Sequence, residues 1–183
     1  MIRHLPAAGR VATPWKNGGG VTREIAVFPH GAGMDDFLWR ISQADVVLPG
    51  PFSVFDGVDR HITILEGQLR MTFAEREITL ASDQPGLAFA GDAAVTAAPI
   101  GGPVADLNVM TRRSTYRADV LAGADFASLE GTPEAVVLLA RAACRVLNFE
   151  LERYDALLCD GHDWRDAPLT ALPVIGIALH RKI

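Results

Sequence analysis

Glycine and proline recur so often along this chain that long helices have little room to form. The 183 residues include 17 glycines and 11 prolines, and the segments between turn residues are mostly about 5–10 residues long. These segments are rich in β-branched, aromatic and aliphatic residues, which favour strands. The predicted strands are Val21–Phe28, Phe37–Val47, His61–Leu65, Leu69–Phe73, Glu77–Leu80, Val104–Met110, Tyr116–Leu121, Val136–Ala140, Arg145–Leu151, Ala156–Cys159 and Val174–Leu179. Many short strands at this spacing predict an all-β sandwich or barrel.

Domain boundaries leave no clear mark in the sequence. The best helix candidate is Thr132–Arg141, where Pro133 could open a first turn, and a strand is equally compatible with this segment. Gly101-Gly102-Pro103 has strong strand signals close on both sides, unlike the longer polar linkers between independent domains. We predict one compact unit over residues 1–183, with a division between two β modules near 101–103 or later left open.

Charge and hydropathy exclude several classes of protein. A net charge of −5 and a pI near 5.5 argue against nucleic-acid binding, which needs a dense basic surface. The longest uncharged stretches, Ala93–Ala105 and Ala167–Leu179, are shorter than the roughly 20 residues of a membrane span. Cys144 and Cys159 match no zinc or redox spacing. We therefore expect a cytoplasmic protein with reduced cysteines, a disulfide between neighbouring strands being the alternative.

The first segment that could carry a binding or catalytic function is Trp15–Glu24, which contains three consecutive glycines. Gly18 and Gly19 allow the backbone to approach a ligand and to point N–H groups into one concavity, as in an anion-binding nest. Lys16 and Asn17 add a charge and an amide. The alternative interpretation is a glycine-rich turn before an edge strand.

Two predicted strands carry polar side chains at alternate positions. In Phe37–Ser42 the alternation places Arg40 and Ser42 on one face, which is solvent in an open sandwich and lumen in a barrel. In Val104–Arg113 it places Asp106, Asn108 and Met110 on one face, and Arg112 follows if the strand continues. This second face can line a pocket, or Asp106 and Arg112 can form a structural pair in solvent.

The segment Gly50–Gly67 has the outline of a cupin strand pair, with His61 and Thr63 two residues apart and Glu66 before a turn glycine. Metal-binding cupins have two histidines where His61 and Thr63 stand, followed by a carboxylate and a third histidine. One imidazole and one carboxylate make an incomplete transition-metal site. We expect no metal and no other cofactor.

Other motifs are weaker. Asp160–Asp166 contains oxygen ligands and a histidine without the spacing of a calcium loop, and we interpret it as a solvated turn. The sequence has no nucleophile elbow, and neither cysteine lies in a recognisable nucleophile motif.

Four motifs taken in order closely resemble the HutD family, also called the HutD/Ves family. They are WKNGGGVTREI, FLWRIS, GPFSVFDGVDR with its LEG ending, and PVADLNVMTRR, and together they cover about residues 13–115. The resemblance implies an RmlC-like bicupin, with two jelly-roll β-barrel modules in one compact chain. It also implies a bacterial protein associated with histidine utilisation, for which a regulatory or flux-limiting role has been proposed.

This resemblance implies that Arg40 and Asn108 face a barrel lumen. Lys16, Asn17, Arg60 and either Arg112 or Arg113 could then converge at its mouth. Arginine forks and a lysine suit a small carboxylate, such as urocanate or N-formylglutamate. The complete candidate ligand-binding set is Lys16, Asn17, Gly18, Gly19, Arg40, Ser42, Arg60, His61, Asn108, Arg112 and Arg113.

Three functions are compatible with these residues. The leading hypothesis is a metal-free cupin that binds a small anionic metabolite and acts as a sensor or regulator. The second is a hydrolase or isomerase that uses His61 or Glu66 as acid or base. The third is a protein-interaction module with a vestigial pocket. The sequence favours binding over catalysis and leaves open whether the chain forms a homodimer.

Overall fold

The computed structural model describes residues 1–126, 129, 131–160, 163–167, 169 and 172–182. Fifteen strands and one four-residue helix are present in this part of the chain. In chain order they are β1 Ile2–Leu5, β2 Ala12–Pro14, β3 Gly20–Phe28, β4 Trp39–Val46, β5 Gly50–Pro51, β6 Val58–Thr72, β7 Glu77–Ala81, β8 Leu87–Ala90, β9 Thr96–Arg112, β10 Tyr116–Ala122, α1 Gly123–Phe126, β11 Ala135–Ala140, β12 Cys144–Val146, β13 Phe149–Leu151, β14 Ala156–Asp160 and β15 Val174–Arg181.

The strands belong to two compact units. One comprises Val11–Ser114, and the other comprises Met1–Arg10 with Thr115–Ile183. The all-β prediction is confirmed. α1 is too short to span a membrane, and no other described helix has the length and hydropathy to do so.

The Val11–Ser114 unit is built on one antiparallel sheet of eight strands. The strand order is β2-β3-β4-β9-β6-β7, with β5 added to β9 and β8 added to β6. Within the described residues this order does not return to its first strand, so the module is an open sheet rather than a closed barrel. Its apolar core includes Val46, Ile62, Ile64, Leu69 and Val104.

Strands β6 and β9 form one long antiparallel pair whose register is irregular at glycines on both strands. The sequence predicted a turn at Gly67 between two strands, and this was wrong because β6 continues through it. Gly67 has a φ of 80° and sits at an irregularity in the pairing with β9, so it accommodates a β-bulge. Gly101 and Gly102 lie at the matching place on β9.

The second unit has a five-stranded antiparallel sheet of order β1-β14-β11-β15-β10 and a separate β12–β13 hairpin. All six residues of β11 are buried, as expected for a central strand covered on both faces. This decides the ambiguous segment Thr132–Arg141 in favour of a strand. Cys144 and Cys159 are free thiols. Gly161 and His162 lie outside the described residues, whereas Trp164 is buried in the core of this unit.

Candidate ligand-binding site

Along β4, β6 and β9 the inner face of the sheet changes from apolar to polar. At one end Val46, Ile64 and Val104 belong to the apolar core. Because alternate residues of a strand share a face, the same face continues with polar side chains towards the other end. These polar residues are Arg40 and Ser42 on β4, Arg60 on β6, and Asp106 and Asn108 on β9.

A cavity of about 640 Å³ opens over this polar part of the sheet. It lies entirely within the Val11–Ser114 unit. Its wall is formed by Thr13, Pro14, Trp15, Lys16, Asn17, Thr22, Met34, Arg40, Ser42, Ala44, Pro51, Phe52, Ser53, Phe55, Arg60, Asp106, Asn108 and Met110. The volume is within the range of small-molecule sites.

Arg60 is the central cation of this cavity. The residue is only 8% exposed, and its guanidinium carbon lies 5.1 Å from the ring centroid of Phe52, 5.8 Å from that of Phe55 and 5.0 Å from that of Phe89. Such rings stabilise a cation on their faces.

The hydrogen bonds of Arg60 are long. Nε and Nη2 each donate to Asn108 Oδ1 at 3.3 Å, and Nη1 donates to the Ser53 carbonyl at 3.4 Å. No carboxylate forms an ion pair with Arg60 in the part of the chain that the structure describes. Burial lowers the pKa of Arg60 to about 10, so the group remains charged at neutral pH.

Asp106 lies in the same cavity and is 2% exposed. Its cross-strand neighbours are Ala44 on β4 and Ile64 on β6, neither of which offers a side-chain donor. No hydrogen bond reaches its carboxyl group from any described residue. Burial raises the pKa of Asp106 to about 7; the charge of Arg60 opposes this shift and that of Asp45 adds to it.

The glycine-rich segment forms the turn between β2 and β3. Position 20 requires glycine, because a Cβ there would clash with the carbonyl oxygen of Asp45. The amide of Gly18 donates to the Trp15 carbonyl, and that of Gly19 donates to Asn17 Oδ1. These two amides are therefore occupied within the turn rather than free for an anion.

Two residues of this turn, Lys16 and Asn17, line the cavity, and both are exposed at its rim. Lys16 has no ion-pair partner among the described residues. Gly18 and Gly19 do not line the cavity. The segment thus contributes side chains to the site, whereas its glycines shape the turn.

Arg40 also lines the cavity. Its Nε donates to Glu24 Oε2 at 2.9 Å, and its Nη1 reaches Ser42 Oγ at 3.5 Å. Because Glu24 already neutralises it, Arg40 contributes less free positive charge than Arg60.

Arg112 and Arg113 do not line the cavity. Arg112 donates to the carbonyls of Phe37, Asp35 and Asp56, so it ties neighbouring loops together. Arg113 forms ion pairs with Asp59 and Asp92.

His61 and Glu66 also lie away from the cavity. His61 follows Arg60 on the strand and therefore points to the opposite face, where its Nδ1 lies 3.4 Å from Thr63 Oγ1. Burial lowers the pKa of His61 to about 4, so the imidazole is neutral at pH 7. Glu66 is exposed.

These positions bear on the metal prediction. The described residues hold no group of three or more histidine, cysteine, aspartate or glutamate side chains placed for a metal ion. We expect purified protein to contain no stoichiometric zinc, iron or manganese, with the same elemental analysis for the wild type and for His61→Ala. About one metal ion per chain, lost in His61→Ala, would contradict this expectation.

Sequence reasoning left Asp106 out of the candidate ligand-binding set. The period-2 alternation of Val104–Arg113 placed it on one face with Asn108, but it also allowed a solvent-exposed pair with Arg112. No sequence pattern marked Phe52 and Phe55 as part of the site, since their role depends on their position against Arg60.

An antiparallel sheet with a polar cavity on its inner face makes this an all-β protein with a candidate small-molecule site. The family model for HutD matches residues 7–173. The chain belongs to the HutD family.

Individual relatives agree with this assignment. An uncharacterized 21.2 kDa protein in the hutC 3' region of Pseudomonas putida is 33% identical over 170 residues, which is 89% of each chain. Protein Ves of Citrobacter koseri is 45% identical over 109 residues, covering 58% of this chain and 56% of Ves. The structure of HutD from Pseudomonas fluorescens SBW25 aligns over all of both chains with a TM-score of 0.80 and 30% identity.

Proposed function

We propose that this chain is a metal-free binding protein for a small carboxylate metabolite, with a regulatory or flux-limiting role in histidine utilisation. The observation that carries the proposal is the Arg60 guanidinium. It is a buried cation in a cavity, with long hydrogen bonds and no ion-pair partner among the described residues. A buried charge without a partner is costly, and a bound carboxylate would supply that partner.

The surroundings of Arg60 suit a carboxylate rather than a neutral ligand. The guanidinium offers parallel N–H groups that match the two oxygens of a carboxylate. Phe52 and Phe55 exclude water from one side, which strengthens electrostatic attraction at the site. Asn108 and Ser42 add hydrogen-bonding groups on the neighbouring strands.

The link to histidine utilisation comes from the family and from the name of the Pseudomonas putida relative, which refers to the hutC 3' region. Urocanate and N-formylglutamate are acids of that pathway with a suitable charge. The residues themselves support the carboxylate class, whereas the pathway context supports these two compounds.

The enzyme and interaction-module alternatives have less support. The acid–base candidates from the sequence, His61 and Glu66, do not line the cavity. A vestigial pocket would not be expected to keep a buried arginine, because an uncompensated cation destabilises the fold.

The proposal is tested by a thermal-shift screen of urocanate and N-formylglutamate, followed by calorimetry on each acid that stabilises the protein. The corresponding primary amides are the matched controls, since they keep the shape and lose the negative charge. We expect stabilisation by at least one acid and by neither amide. Turnover of a bound acid would support the enzyme alternative, and no binding by any acid would contradict the proposal.

Lys16 provides a graded prediction for the same assay. Because it is exposed at the rim, its attraction to the ligand is screened by solvent and is worth about 0.2–1 kcal/mol. We expect Lys16→Ala to weaken carboxylate binding by about 1.4- to fivefold, with a smaller effect at high salt.

The matched control for this variant is Lys182→Ala, which removes the only other lysine of the chain. Calorimetry at two salt concentrations measures both variants. Equal losses of affinity for Lys16→Ala and Lys182→Ala would show that Lys16 does not interact electrostatically with the ligand.

A further inference from the structure

We propose that Asp106 is a second recognition group of the cavity, and that the natural ligand is an acid that also carries an N–H donor. The ligand would place its carboxylate on Arg60 and its N–H group on the Asp106 carboxyl. Amides, amines and azoles that bear a carboxylate have this chemistry. The inference rests on the proposed function, since it takes Arg60 as the carboxylate site.

Asp106 lies in the cavity without a hydrogen-bond donor on the neighbouring strands. Its side chain lines the cavity, yet Ala44 and Ile64 flank it on the neighbouring strands. No described residue donates a hydrogen bond to its carboxyl group. A buried polar group without a hydrogen-bond partner costs about 1–3 kcal/mol, and the charge of Arg60 offsets only part of the cost of burying this carboxyl group.

Asp106 and Arg60 share the cavity without pairing directly. Both residues are buried in one cavity, and an ionised Asp106 would be opposite in charge to Arg60, but they form no ion pair with each other in the described structure. Arg60 instead lies against aromatic rings and Asn108. The cavity therefore has two separate poles, a donor pole at Arg60 and an acceptor pole at Asp106.

A plain carboxylate would satisfy only one of these poles. An ionised Asp106 would also repel it, because the two negative charges would share a poorly solvated space. A ligand that adds an N–H donor satisfies both poles and removes the unpaired acceptor. Recognition that depends on a buried acceptor rejects analogues that lack the donor, because their binding leaves the acceptor unpaired.

The test uses acids that differ only in the donor. Pyrrole-2-carboxylate and furan-2-carboxylate have the same shape, with N–H in one and oxygen in the other. 3-(Pyrrol-2-yl)acrylate and 3-(furan-2-yl)acrylate repeat the comparison with a longer spacing between donor and carboxylate. Calorimetry on wild-type protein is expected to show about a tenfold preference for the pyrrole acid in at least one pair.

Variants then assign the preference to Asp106. Asp106→Ala should bring the pyrrole-to-furan ratio close to one while the furan acid still binds. Asp83→Ala removes the same atoms from an exposed position and should keep the wild-type ratio. The wild-type comparison needs no variant, so the inference stays testable if Asp106→Ala folds poorly.

The outcomes separate this inference from the proposed function. If pyrrole and furan acids bind wild-type protein equally in both pairs, carboxylate binding stands and the role of Asp106 is overturned. A pyrrole preference that persists in Asp106→Ala also overturns the role of Asp106, because another group then accepts the hydrogen bond from the pyrrole N–H. If neither these acids nor the pathway acids bind, the proposed function itself fails.

Discussion

Replacing Arg60 by Met is expected to weaken carboxylate binding by at least about tenfold and by as much as about 150-fold, because a buried charge-assisted hydrogen bond contributes roughly 1.5–3 kcal/mol. Met keeps an unbranched side chain between Phe52, Phe55 and Phe89, so packing is largely preserved. Arg60→Ala should lose binding to the same extent, with an added loss of stability from the cavity it leaves. Calorimetry with the acid that binds best measures the change in affinity.

Arg76→Ala is the control for this experiment. Arg76 is exposed in the turn between β6 and β7, where its guanidinium lies over the Phe73 ring, and it does not line the cavity. Its removal should leave affinity unchanged. If Arg60→Met bound the acid as tightly as the wild type, the carboxylate would have to bind elsewhere.

Replacing Asp106 by Asn is expected to stabilise the ligand-free protein, and the gain should grow with pH. In the folded protein the pKa of Asp106 is raised from 3.8 to about 7, whereas the unfolded chain has the ordinary value. Between about pH 4 and 7 the folded state therefore binds more protons, so wild-type stability falls as pH rises. A displacement of about three pH units corresponds to at most about 4 kcal/mol.

Asn does not titrate, so this loss is absent from the variant. We expect the difference in free energy of unfolding between Asp106→Asn and wild type to increase by about 2–3 kcal/mol from pH 5 to pH 8. Arg60 and Asp45 are the charged groups that act on Asp106, and neither is changed in the variant.

Urea unfolding at the two pH values provides the measurement. Tryptophan fluorescence is a suitable signal, because Trp15 and Trp39 lie in the Val11–Ser114 unit. A pH-independent difference between the two proteins would show that Asp106 is ionised normally in the folded state. The Asn amide oxygen still accepts a hydrogen bond, so Asp106→Asn should gain stability and keep part of the pyrrole preference, whereas Asp106→Ala should abolish that preference.

The strand pattern was predictable to a large extent because it depends on local chemistry. Segments such as Glu77–Leu80 and Ala156–Cys159 are bounded by turn residues and rich in strand-forming residues, and both are strands. β11 was ambiguous, since a short apolar run suits a buried strand or a helix. Its position between β14 and β15 decided the outcome. The turn expected at Gly67 is a bulge because β9 pairs with β6 on both sides of it.

The candidate site was predictable only in part. Arg40, Ser42, Arg60 and Asn108 were named from the sequence, and the structure places all four on the cavity wall. His61 was named with them, but it lies on the opposite face of β6. The resemblance to a cupin metal motif rested on a spacing of two, and that spacing is the same for either face of a strand.

The sequence by itself determined that this protein is all-β and carries polar residues at alternate positions of particular strands. It did so because turn preferences and strand periodicity are properties of neighbouring residues. Only the tertiary structure decided which face of each strand became the inner one, since that depends on how β4, β6 and β9 pair and where the apolar core lies. The pairing of these distant segments brings Arg60 and Asp106 into one cavity, and burial there changes the pKa of both.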